Sequence, residues 1–268
     1  TTAIGNLGYT YREKGEVDQA WPWHRRALAV SPREAISYRG LSSFYIDLND
    51  LAKAEAWAKK AMELQPDLPS ANINLAEIYL LQGKQEEALA QSQKALSSDS
   101  LWAVETAGII AVTLGDYAKA EEYFRQALSV GSKGSGIRYT RLGHVLWRTG
   151  QQDEAQELFN HSLQLDQSEL DQGNQTYFPR YDMACLNAVQ GNKEEAYEWL
   201  QKAIEAGWRQ SHVALKDPLL ENLHNDARFQ QMMAQLKGQV DEMRRRVELM
   251  ESQDPRWNDL LRRMNLEP

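Results

Sequence analysis

The sequence predicts an all-α fold, a solenoid of stacked helical hairpins, on three observations. The chain aligns with itself at a period of about 34 residues. A column of small residues, Ala20, Ala54, Ala88, Ala120, Ala155 and Ala196, recurs in the middle of each unit, and Ala27, Ala61, Ala95, Ala127, Ser162 and Ala203 follow two helical turns later. Ahead of the first column stands Gly15, Asn49, Gly83, Gly115, Gly150 or Gly191. Two turns apart on one helix, the small residues share a stripe where a bulky side chain would hold neighbouring helices off. Glycine and asparagine tolerate the left-handed backbone that ends a helix, so each unit reads helix, turn, helix.

The units follow in order. In the first, 1–34, Ile4, Leu7 and Tyr11 share a helix face, and Pro32 blocks continuation of the second helix. The second, 35–68, repeats the pattern with Tyr38, Leu41 and Tyr45 and closes at Pro66. The third, 69–100, is shorter and carries Leu75, Ile78 and Tyr79. The fourth, 101–135, ends in the glycine-rich run Gly131 to Gly136. The fifth, 136–176, has an insertion around Asp166 to Thr176, either a contact loop directed at a groove or a tolerated expansion. The sixth, 177–208, completes the array. Residues 209–268 read as a C-terminal helical cap and tail. A long polar helix from about Asp226 to Glu251, with Arg244, Arg245, Arg246 and Glu248, is expected to cover the apolar face left open at the last hairpin.

The series Leu7, Gly8, Tyr11, Gly15, Ala20, Ala27 and Pro32 resembles the tetratricopeptide repeat signature, and Leu41, Tyr45, Ala54, Ala61 and Pro66 repeat it. The resemblance covers roughly residues 1–208 and implies a right-handed α-α superhelix of six hairpins whose first helices line a concave groove for a protein or peptide. Asp217, Pro218 and Leu219 through Asn225, Asp226, Ala227, Arg228 and Phe229 resemble the segment that follows the last such repeat in bacterial multidomain signalling proteins, and Asp254 to Leu266 resembles the end of such chains.

By register the groove residues are Asn6, Tyr9, Arg39, Ser43, Asn74, Glu77, Trp102, Glu105, Arg141, His144, Trp147 and Arg148. Asn6 and Asn74 share a position and either grip a peptide backbone or bond a neighbouring helix. Trp102, His144 and Trp147 offer aromatic contact surface, or burial between hairpins, a reading that weighs more for Trp102. The carboxylate clamp that the resemblance brings to mind is missing, because Thr2, Gly5, Asn6, Ser70 and Asn74 occupy its positions.

Composition narrows the function. A net charge of −8 repels phosphate backbones, so nucleic acid is not an expected partner. No apolar run approaches the roughly 20 residues of a membrane span, which predicts no membrane insertion and a soluble protein of cytoplasm or periplasm. Cys185, alone of its type, excludes an internal disulfide and reads as buried and inert. The histidines His24, His144, His161, His212 and His224 show no ligand spacing, so neither metal nor cofactor is expected. The run Gly131 to Gly136 lacks the phosphate-loop order and reads as a turn. The glycosylation triplets at Asn160 and Asn174 would matter only in a eukaryotic secretory setting, and Asn160 falls inside a predicted helix, so that triplet reads as coincidence. The acidic pairs Glu86/Glu87, Glu121/Glu122 and Glu194/Glu195 read as helix-start stabilisers rather than an acid and base. The expectation is a non-enzymatic binding scaffold. With Thr1 in place of a starting methionine, the reading favours the regulatory repeat region of a larger bacterial signalling or transcription-regulating protein. The alternatives are a free-standing adaptor, or part of an enzyme whose catalytic domain lies upstream.

Overall fold

The computed structural model describes residues 2–96, 100–130 and 135–263. The glycine-rich Gly131 to Gly134 and the end of the tail at Leu266 lie outside the described residues. Among the described residues every regular element is helical. The hairpins are α1 (Thr2–Glu13) with α2 (Trp21–Val30), α3 (Ala35–Asp47) with α4 (Leu51–Leu64), and α5 (Pro69–Leu81) with α6 (Gln85–Leu96). Then come α7 (Leu101–Thr113) with α8 (Tyr117–Val130), α9 (Ile137–Arg148) with α10 (Gln152–Asp171), and α11 (Phe178–Val189) with α12 (Lys193–Glu205). Beyond them lie α13 (Ser211–Ala214), a 3₁₀ turn (Pro218–Leu223), α14 (Ala227–Ser252) and α15 (Pro255–Arg263).

The turns work as the sequence predicts. Asn49 adopts φ +53°, and the following Asp50 amide donates to the Tyr45 carbonyl at 2.9 Å, satisfying a carbonyl the helix end leaves free. All six alanines of the first small column are fully buried. A second size rule operates inside each hairpin. Where the second helix offers a large ring, Phe124 or Phe159, the first helix facing it has Gly108 or Gly143, and a methyl added there would stand 2.4 or 2.6 Å from the ring. In the first hairpin His24 plays the ring's part against Gly8. Burial, with Arg12 and Arg39 nearby, pushes its pKa down to about 3, so it packs as a neutral imidazole.

The insertion in the fifth unit does not form a loop directed at the groove over its whole length. Its first part lengthens α10 to 20 residues, against 14 in α8. The reason lies at Asp166, which is buried on that extension and accepts the Gly136 amide at 3.1 Å at the start of α9. The acidic pair Glu121/Glu122 also departs from expectation: α8 begins at Tyr117, so the pair stands in its second turn, where Glu121 instead accepts Arg125 at 2.9 Å.

The stack does not stay open. A methyl placed on Gly15, at the first hairpin's turn, would lie 2.5 Å from the carbonyl oxygen of Gly207, just past the last hairpin. Six hairpins therefore bend far enough for the two ends to touch. The C-terminal helices bridge the seam. The front of α14 sets Phe229, Met233 and Leu236 into the core of the last hairpin with Tyr197, Leu200 and Trp208, while Val247 and Trp257 enter the core of the first two hairpins with Trp21 and Trp57. At 26 residues α14 measures roughly 39 Å, enough to join both ends.

Two predictions follow from this packing. Gly15→Ala and Gly83→Ala each force a left-handed alanine at about 1–2 kcal/mol, but an added methyl meets nothing near Gly83. Urea denaturation should therefore show Gly15→Ala losing clearly more stability, and equal losses would mean that the ends do not meet. The second concerns Asp166 and Asp182, buried together at the start of α9, where Ser135 and the Ile137 amide donate to Asp182. Burial, reinforced by Asp182, pushes Asp166 up to about 8, and burial also raises Asp182. Because these folded-state pKa values exceed the unfolded ones, the stabilisation is complete in acid and is lost as the pH rises through about 8. Asp166→Asn carries no such charge, so wild type should gain stability relative to it on acidification from about pH 9 to pH 5, as read by melting temperature.

Candidate partner-binding channel

The first helix of each hairpin faces inward, and α1, α3 and α5 pack side by side, as do α9 and α11. Their inward polar side chains are largely spent on one another. Arg12 pairs with Asp47 across the first two hairpins, and Arg138 pairs with Glu105 across α9 and α7. Asn74, buried, donates to the Arg39 carbonyl at 3.2 Å and to Ser43 Oγ at 3.0 Å. Of the two readings open for Asn74, the bond to a neighbouring helix is the one seen.

The inner wall also has an occupant supplied by the chain itself. Gln210 donates to Asp47 at 2.9 Å, and Lys216 to the Leu81 carbonyl at 2.6 Å. Asp217, Pro218 and Leu219 lie against Ile109, Val112, Arg141 and His144. Arg148 reaches Glu221 at 2.8 Å, and Asn222 donates to the Ala188 carbonyl at 3.0 Å. Residues 210–222 thus pass the first helices of hairpins two to six in order, in the manner of a guest peptide. Tyr181 fixes the path by donating to Asp217 at 2.9 Å, and Leu220 and Leu223 are fully buried.

The remaining expected residues divide between covered and open ground. His144 is buried beneath this segment, and burial with Arg148 lowers its pKa, so the ring is neutral at physiological pH. Arg39 is half-buried with no partner for its Nε; burial and the neighbouring Arg12 lower its pKa. Glu77 is half-buried, and burial beside Asp47 pushes it up to about 7. Arg141 is half-buried, Trp147 is exposed with its ring 6.3 Å from Phe159, and Asn6 and Tyr9 are exposed. Trp102, the residue for which burial weighed more, is instead 67% exposed. It stands at the second position of α7, as Ile36 does in α3, and Phe178 opens α11; all three are exposed apolar side chains at the starts of first helices. Cys185 is fully buried, and burial holds its thiol protonated.

Sequence models of the tetratricopeptide repeat match residues 3–36, 37–68, 57–90, 106–130 and 138–169, together more than half of the chain. The chain belongs to the tetratricopeptide repeat family. Similar proteins include superkiller protein 3 of Schizosaccharomyces pombe, 23% identical over 187 residues, which are 66% of this chain and 13% of that protein. The tetratricopeptide repeat-containing protein YpiA of Bacillus subtilis is 26% identical over 54% of this chain and 35% of its own length. Human protein O-mannosyl-transferase TMTC3 is 34% identical over 32% of this chain and 10% of its own length. The chain thus spans at most 35% of these relatives. Among solved structures, the Cut9–Hcn1 complex of APC/C superposes with a TM-score of 0.61 at 18% identity over 96% of this chain and 48% of that one. PilF of Pseudomonas aeruginosa gives 0.55 at 18% identity over 87% and 96%. At these identities the likeness establishes the tetratricopeptide repeat superhelix and no more.

Sequence reasoning missed the internal segment. The only signal was Asp217–Pro218 followed by leucines in a region that had left the repeat pattern. No helix among the described residues is long and apolar enough to cross a membrane, and no cluster of potential metal ligands occurs among them.

The inter-repeat pairing is testable at Glu105. Both it and Arg138 are shielded from water, with side-chain exposures of 6% and 15%. Glu105→Ala leaves a buried guanidinium unpaired and should cost about 3–5 kcal/mol in chemical denaturation. A loss under about 1 kcal/mol would mean that water already screens the pair.

Proposed function

We propose that this chain is a protein-interaction scaffold that grips a partner at the open rim of its channel, on Ile36, Trp102 and Phe178 with Asn6 and Tyr9 beside them. The observation that carries the reading is the exposure of Trp102 at 67% on a channel otherwise closed by internal pairs and by residues 210–222. A large indole left in water where a helix starts, with two further apolar side chains on the same edge, is the composition of a binding hot spot. The buried charges behind the rim keep the wall rigid and leave the rim to discriminate. The same reading makes the chain a regulatory region of a longer bacterial signalling protein, supported by the resemblance of residues 217–229 to the segment that follows such arrays.

Trp102→Ala removes no buried contact, so thermal stability should stay within about 0.5 kcal/mol of wild type. Partners captured by crosslinking to the wild-type chain should bind the variant at least about tenfold more weakly by calorimetry. Unchanged affinity for every captured partner would remove the rim from consideration.

A further inference from the structure

The first two hairpins carry an acceptor site that the chain fills with its own C-terminus. Trp257 is enclosed there, its ring 5.8 Å from that of Trp21 in an edge-on contact and 5.4 Å from that of Trp57. Glu251 accepts the Tyr45 hydroxyl and, at 2.7 Å, Lys53 Nζ. Arg246 meets Asp18 at 2.6 Å, and Arg25 meets Asp254 at 2.5 Å. All the acceptor groups belong to residues 18–57, and all the inserted groups to residues 246–257. Chemically the site is an aromatic slot for an indole, a lysine with a tyrosine hydroxyl for a carboxylate, and an acid for an arginine.

What connects the inserted helix to the rest of the molecule is thin. Between Leu236, which is buried against the last hairpin, and Val240, the residues Lys237, Gly238 and Gln239 are exposed. A methyl added to Gly238 would meet nothing, so packing does not require glycine there, and it is the residue after proline least suited to a helix interior. The seam nearby is bordered by an open, largely polar surface groove lined by Tyr11, Lys14, Arg209 and Met243.

We propose that the first two hairpins are an exchangeable acceptor for a tryptophan-bearing C-terminal helix, and that a second copy of this chain supplies that helix when α14 opens at Gly238. In the exchanged pair, residues 239–263 of each copy lie on hairpins one and two of the other. Every contact that residues 239–263 make in the closed monomer is remade between copies, so the exchange needs no new chemistry and is driven by concentration. The closed ring and the reciprocal pair are two uses of one interface.

Charge reversal separates them. Glu251→Lys sets two lysines against each other within one chain, and Lys53→Glu sets two glutamates. When the two variants are mixed, each inserted helix finds its opposite charge only on the other copy. Light scattering should show each variant alone at monomer mass, the equimolar mixture at twice that mass, and a chain carrying both substitutions as a monomer again. A mixture that stays at monomer mass overturns the proposal. A labelled peptide of residues 239–263 gives an answer that does not depend on both variants folding alike. It should bind the Glu251→Lys chain about tenfold more tightly than the Lys53→Glu chain, and equal binding or none would also overturn it.

Discussion

The architecture depends on how closely helices can approach one another. Alanines with no exposed surface at Ala20, Ala54, Ala88, Ala120, Ala155 and Ala196 set the spacing within each hairpin. Glycines or small residues opposite Phe124, Phe159 and His24 absorb the rings that would otherwise push the pair apart. Each hairpin then adds a small fixed rotation, and over six of them the rotation brings Gly15 against the backbone of Gly207. Only residues without a side chain allow that meeting, and both positions hold φ values of +73° and +108°. Closure, and with it the enclosed channel, is thus a sum of local packing distances.

Closure changes what the inner wall can do. In an open superhelix the inward polar residues would face water and be available to a guest. Here Arg12 pairs with Asp47, Arg138 with Glu105 and Asn74 with Ser43, and residues 210–222 lie along the wall with Leu219 and Leu220 buried. Buried leucines contribute on the order of 1.5–3 kcal/mol each, so this segment is part of the folded core rather than a loosely held peptide. The surface left for recognition moves to the helix starts, where Trp102 stands free, and to the outer face that receives Trp257.

Local features of the fold were legible in the sequence because they obey local rules. The left-handed turns need glycine or asparagine, the stripes need small residues, and the long helix announced by Asp226 is seen as α14 with Asp226 capping the Arg228 amide at 3.0 Å. The lengthened α10 was not legible, since Asp166 looks like any polar residue until its partner, the Gly136 amide, is known. Ring closure was hidden for a related reason. Arg246 and Asp18 stand 228 residues apart, and nothing in the repeat period encodes the accumulated bend that joins them. The groove residues were found by register, but register gives direction and not availability. It placed Asn74 and Trp102 on the same inner wall, and only the neighbours decide that one is bonded and the other free.

Contact between the two ends is the claim on which the internal channel and the C-terminal bridge both rest. It is measured most directly by pulsed electron resonance between spin labels on cysteines replacing the exposed Glu16 and Glu205, with the native Cys185 buried out of reach. A closed ring gives one short, narrow distance distribution in dilute solution. A long, broad distribution would describe an open superhelix and contradict the account.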